Sequence, residues 1–270
     1  MLTHTQSFNR LKKEQQEILD FAVLVCHAIP NIKKTIRGEE EGIPYFSLAN
    51  PDYFSKEAED RIKKLSKHYK ENLSKYLIIS SFSFFEAYFK AVIEEMMDFH
   101  GGKESLINNV KERHKRMLET IDDTVILDKR KLQEPKKRKN KMRYEKHISQ
   151  LQQNASYRMP SELFAAIGAK YILDLVSSDR FRSAMIPDLL EYGFLMDLNS
   201  KINKSHDLRE KNLKETFDSM RDIRNRISHG DNPTIDFAKA MDYVRFLRNF
   251  AIKIDKHLIE HFFVLESSSI

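Results

Sequence analysis

Residues 207–229 read DLREKNLKETFDSMRDIRNRISH, and Gly230, Asp231, Asn232 and Pro233 follow. On a helical wheel with Arg224 at zero, Leu213, Phe217, Met220, Ile223 and Ile227 fall on an arc from roughly 260° through 0° to roughly 20°. One apolar stripe on one side of a helix is the mark of a helix packed on a core, so the stretch predicts an amphipathic helix over 207–229. Ser228, Arg221, Asn225 and His229 follow at roughly 40°, 60°, 100° and 140°, a polar arc directly beside that stripe. Gly230, Asn232 and Pro233 break the helix and let the chain turn just after the histidine.

The same period governs most of the chain. Leu11, Ile18, Phe21, Ala22, Val25 and Ile29 share one face of an N-terminal helix, which Pro30 is expected to stop. Arg37–Pro51, with Gly38, Gly42, Pro44 and Pro51, reads as a loop. Ser55 is a candidate N-cap for a long helical stretch that ends at His100, before the stop signal Gly101-Gly102. A stretch of that length predicts a kink, expected around Ser80, Ser81 and Ser83.

Shorter helices are expected over Glu104–Thr120, from Pro160-Ser161 to Val176, and from Pro187-Asp188 to Leu198. The last helix is expected over Asp236–Phe263, with Phe237, Met241, Val244, Leu247, Phe250, Ala251, Ile254 and Leu258 on one face. No two-residue alternation bounded by turns and no Asn-Gly or Asp-Gly hairpin signal appears. The fold class is therefore an all-α bundle of helices joined by short loops.

Composition sets limits on what such a bundle can do. Over 270 residues the chain holds 46 Lys+Arg against 40 Asp+Glu, a net charge of +6. Ten Lys and Arg against two acids lie in Lys129–His147, KRKLQEPKKRKNKMRYEKH, a local net of +8 that leaves the remainder slightly acidic. The basic balance belongs to one segment and not to the fold. With Pro135 and few apolar residues, this segment reads either as a solvated insertion or as a sequence-independent contact to phosphates through Lys136, Lys137, Arg138 and Lys139. A nuclear-localisation signal has the same composition. The single cysteine, Cys26, forms no internal disulfide and fits a reducing compartment. The most apolar run, Tyr76–Phe85, is short of the roughly 20 residues that span a bilayer, and a soluble cytoplasmic protein is expected.

Most chemical signatures are absent from the sequence. It holds no Gly-rich phosphate loop after a strand, no CxxC and no HExxH, so neither a cofactor nor a dedicated metal site is expected. What remains is Arg221-Asp-Ile-Arg-Asn-Arg-Ile-Ser-His229. A guanidinium is a planar fork of donors suited to phosphate. A histidine takes or gives a proton near neutral pH, and an amide can hold a phosphate oxygen or orient the ring. These parts suffice to cleave RNA: a base takes the ribose 2′-OH proton, the oxygen attacks the adjacent phosphorus, and a cation stabilises the charge that develops. A plainer reading also accounts for the residues, because cations suit a helix C-terminus and glycine suits its cap. Spacing alone carries little, since Arg61-x6-His68 in a Lys-rich helix is an evident decoy.

Arg224-Asn225-Arg-Ile-Ser-His229, at the end of the penultimate long helix, resembles the RNxxxH form of the motif of HEPN-domain ribonucleases. Upstream, Ser80-Ser-Phe-Ser-Phe-Phe-Glu-Ala-Tyr-Phe89 is similar to the first core helix of that family, in particular its RiboL-PSP-like branch. The two marks stand in the family's order, over about Tyr69–Phe263 with the basic segment as an insertion. The resemblance implies a bundle of four to five core helices. It also implies a homodimer in which two motifs share a cleft, with metal-independent endoribonuclease activity in toxin–antitoxin, abortive-infection or antiphage systems.

By position, the resemblance makes Arg224 the group that binds the scissile phosphate, Asn225 the one that positions it, and His229 the general acid or base. Arg221 would add a phosphate contact, and Glu86 and Ser228 are accessory candidates. Some family toxins carry a tyrosine two residues after the histidine, where a partner silences them by nucleotidylation; Asp231 stands there in this chain. The expected organisation is an N-terminal helical extension over 1–60, read as a helical hairpin that extends the dimer or holds a partner. It is followed by a HEPN-like domain over 61–265 with a basic insertion at 129–158. The competing reading is a non-catalytic RNA-binding or protein-interaction module of the same shape.

Overall fold

The computed structural model describes residues 3–44, 56–106, 108, 181–194, 196–199 and 212–263. The expected Ser55 cap, the helix from Pro160, most of the one from Glu104 and the basic insertion lie outside these residues. Among the described residues the fold is all-α, with no strand. Its helices are α1 (Gln6–Glu40), α2 (Lys56–Lys67), α3 (Tyr69–Phe99), α4 (Leu213–Ser228) and α5 (Phe237–His261), with a 3-10 turn, an α turn and a π turn running from Ser183 to Gly193.

The central element is α3. It packs against α1, α4 and α5, so its side chains are apolar on several sides. Phe82, Phe85, Phe89, Phe217, Phe246 and Phe250 are fully buried. Phe82 stacks on Phe217 at 5.4 Å between ring centroids, and Phe85 stacks on Phe250 at 5.6 Å. This aromatic seam joins α3, α4 and α5 and sets their rotation about their own axes. Among the described helices α3 alone is long and apolar enough to cross a membrane, and half of its most apolar window is buried inside the protein. The apolar run read as Tyr76–Phe85 thus belongs to a 31-residue helix whose hydropathy serves the core.

Several expectations are corrected. Pro30 does not stop the first helix; α1 continues to Glu40 with the proline inside it. The proline is exposed, and the apolar face runs on beyond it to the buried Ile36, so packing holds the helix together where one hydrogen bond is lost. Over 6–40 the N-terminal extension is one continuous helix lying along α3. The loop expected from Arg37 begins only after Glu40.

The break in the long stretch lies at His68, between α2 and α3, and not at Ser80, Ser81 and Ser83, which stay helical. Serine is tolerated inside a helix: the Ser74 hydroxyl donates to the Lys70 carbonyl at 2.7 Å and leaves the ladder intact. The helix expected to run from Pro187 to Leu198 is shorter: an α turn over Ile186–Asp188 widens into a π turn that ends at Gly193.

Other expectations hold. Gly101 and Gly102 take φ of +86° and +93° at the end of α3, the left-handed conformation open to glycine. The predicted core face of α5 is buried from Val244 to Leu258, with Phe237 and Met241 partly so. For α4, Leu213, Phe217 and Met220 are buried, and Ile223 and Ile227 pack on the core from its edge. Its start is a capping box: the Asn212 side chain accepts from the Glu215 N–H at 2.8 Å, and the Glu215 carboxylate accepts from the Asn212 N–H at 3.1 Å.

Candidate functional site

Arg224 lies two helical turns beyond Phe217 and on the same face of α4, a position that the pattern assigns to core. The aliphatic stem follows the apolar stripe and the head leaves it. The guanidinium carbon sits 5.4 Å from the centroid of the buried Phe82 ring. Glu86, one turn further along α3, accepts a hydrogen bond from Nη2 of Arg224 at 2.9 Å. Asn225 accepts one from Nη1 at 3.0 Å through Oδ1. The ring supplies a cation–π contact and the carboxylate a charge-assisted bond, so the guanidinium is held from beneath and from one side. It keeps further N–H groups beyond these two bonds, and the side chain remains 26 % exposed, so a ligand can reach them.

His229 caps α4. Its backbone N–H donates to the Asn225 carbonyl at 2.9 Å, and Gly230 turns the chain at φ +89°. The next N–H groups return to the same helix end: Gly230 donates to Ile227 at 3.1 Å and Asp231 to Arg226 at 2.9 Å. The histidine is exposed, and among the described residues no group hydrogen-bonds its ring. Asn225 and His229 are four apart on one helix and therefore neighbours on its surface.

The structure thus brings Arg224, Asn225 and Glu86 into contact and puts His229 at the open helix end beside them in sequence. It does not bring Arg221 to them. That guanidinium turns to acids of its own helix, Asp218 at 2.7 Å and Asp222 at 3.4 Å. Ser228 is the last residue of α4 and is exposed. Lys136, Lys137, Arg138 and Lys139 lie outside the described residues. The decoy pair is separated: Arg61 is exposed on α2 and His68 sits at the break before α3. Among the described residues no group of three or more His, Cys, Asp or Glu is placed to hold a metal ion.

Two partners escape a reading of the motif alone. Phe82 is one, and the spacing Phe82-x3-Glu86 on a helix was the available signal for a ring and a carboxylate on one face. The other is Lys75, whose ammonium meets both Glu71, at 2.7 Å, and the side chain of Asn232.

The RiboL-PSP-HEPN family model matches residues 53–260, more than half of the chain. The chain belongs to this HEPN family. The match takes in α2 to α5 up to Glu260, with Glu86, Arg224, Asn225 and His229 inside it, and leaves α1 outside. No curated protein and no solved structure matches the chain. Membership of the HEPN superfamily supports an RNA-related or toxin-like role in general.

Proposed function

We propose that this HEPN protein is a metal-independent endoribonuclease, a toxin or antiphage-defence effector, with Arg224 and His229 as its catalytic residues. The observation that carries the reading is the partly exposed Arg224 guanidinium, fixed over Phe82 by Glu86 with N–H groups still open, on the same helix end as an exposed histidine. Arg224 binds the scissile phosphate and stabilises the charge on its oxygens as the phosphorus is attacked. His229 takes the proton from the 2′-OH or gives one to the leaving 5′-oxygen. The 2′-oxygen–phosphorus bond forms, the phosphorus–5′-oxygen bond breaks, and the products carry a 2′,3′-cyclic phosphate and a 5′-hydroxyl. Asn225 holds the guanidinium and a phosphate oxygen, and Glu86 is a positioning residue.

One histidine cannot serve as base and acid in the same step, so the working form in this reading is a homodimer with two motifs across one cleft. The protein acts in the cytoplasm, and an antitoxin or partner defence protein controls it. The basic insertion adds phosphate contacts through Lys136–Lys139. The alternative, a non-catalytic HEPN-like binding module, draws on the same ion pair: Glu86 and Arg224 also have the geometry of a bridge that only joins α3 to α4.

One experiment separates the two. Wild type and His229→Ala are incubated with total RNA in EDTA, and the product ends are tested. Cleavage by the wild type alone, leaving cyclic phosphates, is expected of the enzyme. Binding without cleavage by either protein, together with a monomer in light scattering at micromolar concentration, would leave the binding module standing.

A further inference from the structure

We propose that Lys75 is a positioning residue for His229, pinning the chain just beyond the histidine to the core helix. The inference rests on the ribonuclease reading above. The ring of His229 is exposed and no described group hydrogen-bonds it, so its direction depends on how its backbone is held. That backbone leaves α4 through the left-handed turn at Gly230 and reaches Asn232, whose side-chain oxygen accepts a hydrogen bond from the Lys75 ammonium. Lys75 and Glu86 are eleven residues apart on α3, close to three full turns, and so lie on nearly the same face. The core helix therefore grips the motif on both sides of the histidine: upstream through Glu86 at Arg224, downstream through Lys75 at Asn232.

The pin is itself held. Glu71, one turn before Lys75, binds the ammonium at 2.7 Å, and the Lys75 side chain is only 13 % exposed. The hydrogen bond from Lys75 keeps the Glu71 carboxyl below its usual range, as expected beside a charged ammonium. A flexible surface lysine would have to be ordered to make such a contact, whereas this one is already fixed. Displacement of a catalytic base by as little as 1 Å can cost about 100-fold in rate, so a clamp three residues from the histidine has leverage on kcat.

The test compares the full chain with Lys75→Met, Asn232→Ala, the double variant and the conservative Asn232→Asp. Cleavage of a short RNA is followed together with the NMR signal of the His229 ring in the absence of RNA. The pin predicts a fall in kcat of about tenfold in each single variant with KM unchanged, and no further fall in the double variant. It also predicts recovery in Asn232→Asp, whose carboxylate can accept from the ammonium, and a displaced His229 resonance in both single variants. A raised KM with kcat intact would mean that Lys75 contacts RNA directly and would overturn the pin. So would wild-type kcat with an unmoved His229 resonance in the single variants. If the wild type itself cleaves nothing, the ribonuclease reading fails, and the His229 resonance still decides whether Lys75 holds the turn.

Discussion

Glu86 and Glu95 stand nine residues apart on α3 and point to opposite sides of it. Glu95 accepts from the Gln6 and Ser7 N–H groups, each at 2.9 Å, and from the Ser7 hydroxyl at 2.7 Å. Beside it the buried Asp255 of α5 takes the Thr5 hydroxyl and, at 2.9 Å, Nδ1 of His4. Together the two carboxylates complete the N-terminus of α1, whose first N–H groups would otherwise be orphaned at a helix end. Glu86 instead holds a guanidinium that keeps open donors. The same device, a carboxylate reaching across a helix seam, docks an element at one place and aims a cation at the other. The two cases differ in whether donors remain for a ligand.

The contrast predicts that the two regions fail in different ways. The largest effect is expected at the aimed cation. Arg224→Lys keeps the charge but loses the fork, so cleavage should fall about 100-fold or more, while the thermal midpoint stays close to that of wild type. Asp255→Ala should do the reverse. It strands the Thr5 donors in the core and should lower stability by about 3 kcal/mol in urea titration, with cleavage per folded molecule unchanged.

A smaller effect belongs to the end of the bundle away from the motif. Burial pushes His257 down from 6.5 to about 4, and its Nε2–H donates to the Phe194 carbonyl at 2.7 Å. The unfolded chain therefore binds a proton there that the folded chain refuses. Stability from this group is full above about pH 6.5 and is lost as the pH falls through about 4, by about 2 kcal/mol after allowance for partial exposure. Denaturation midpoints at several pH values should follow that slope, and His257→Gln should flatten it. The smallest effect is expected at Gly230→Ala, where a side chain meets no neighbouring atom but the φ of +89° is strained. Stability should fall by about 1 kcal/mol.

Much of this was legible in the sequence, for identifiable reasons. The apolar stripes of α4 and α5 are long and regular, and the buried residues follow them from Leu213 to Met220 and from Val244 to Leu258. Pro30 misled because a proline is a local signal and the stripe on both sides of it is a tertiary one; packing against α3 won. The break at His68 has no glycine or proline to mark it, and Ser80, Ser81 and Ser83 stay helical inside a helix that packs on three others. At the site, the order of Arg224, Asn225 and His229 was readable from the wheel, and Glu86 was a candidate. The downstream grip was not readable, because Lys75 and Asn232 are 157 residues apart and neither belongs to the motif.

The central claim is that Glu86 acts through Arg224. The most direct measurement is a double-mutant cycle on single-turnover RNA cleavage, comparing wild type, Glu86→Gln, Arg224→Ala and the double variant. The account predicts that Glu86→Gln slows cleavage about tenfold in the wild-type background and has no further effect once Arg224 is alanine. Two independent losses that multiply in the double variant would contradict it.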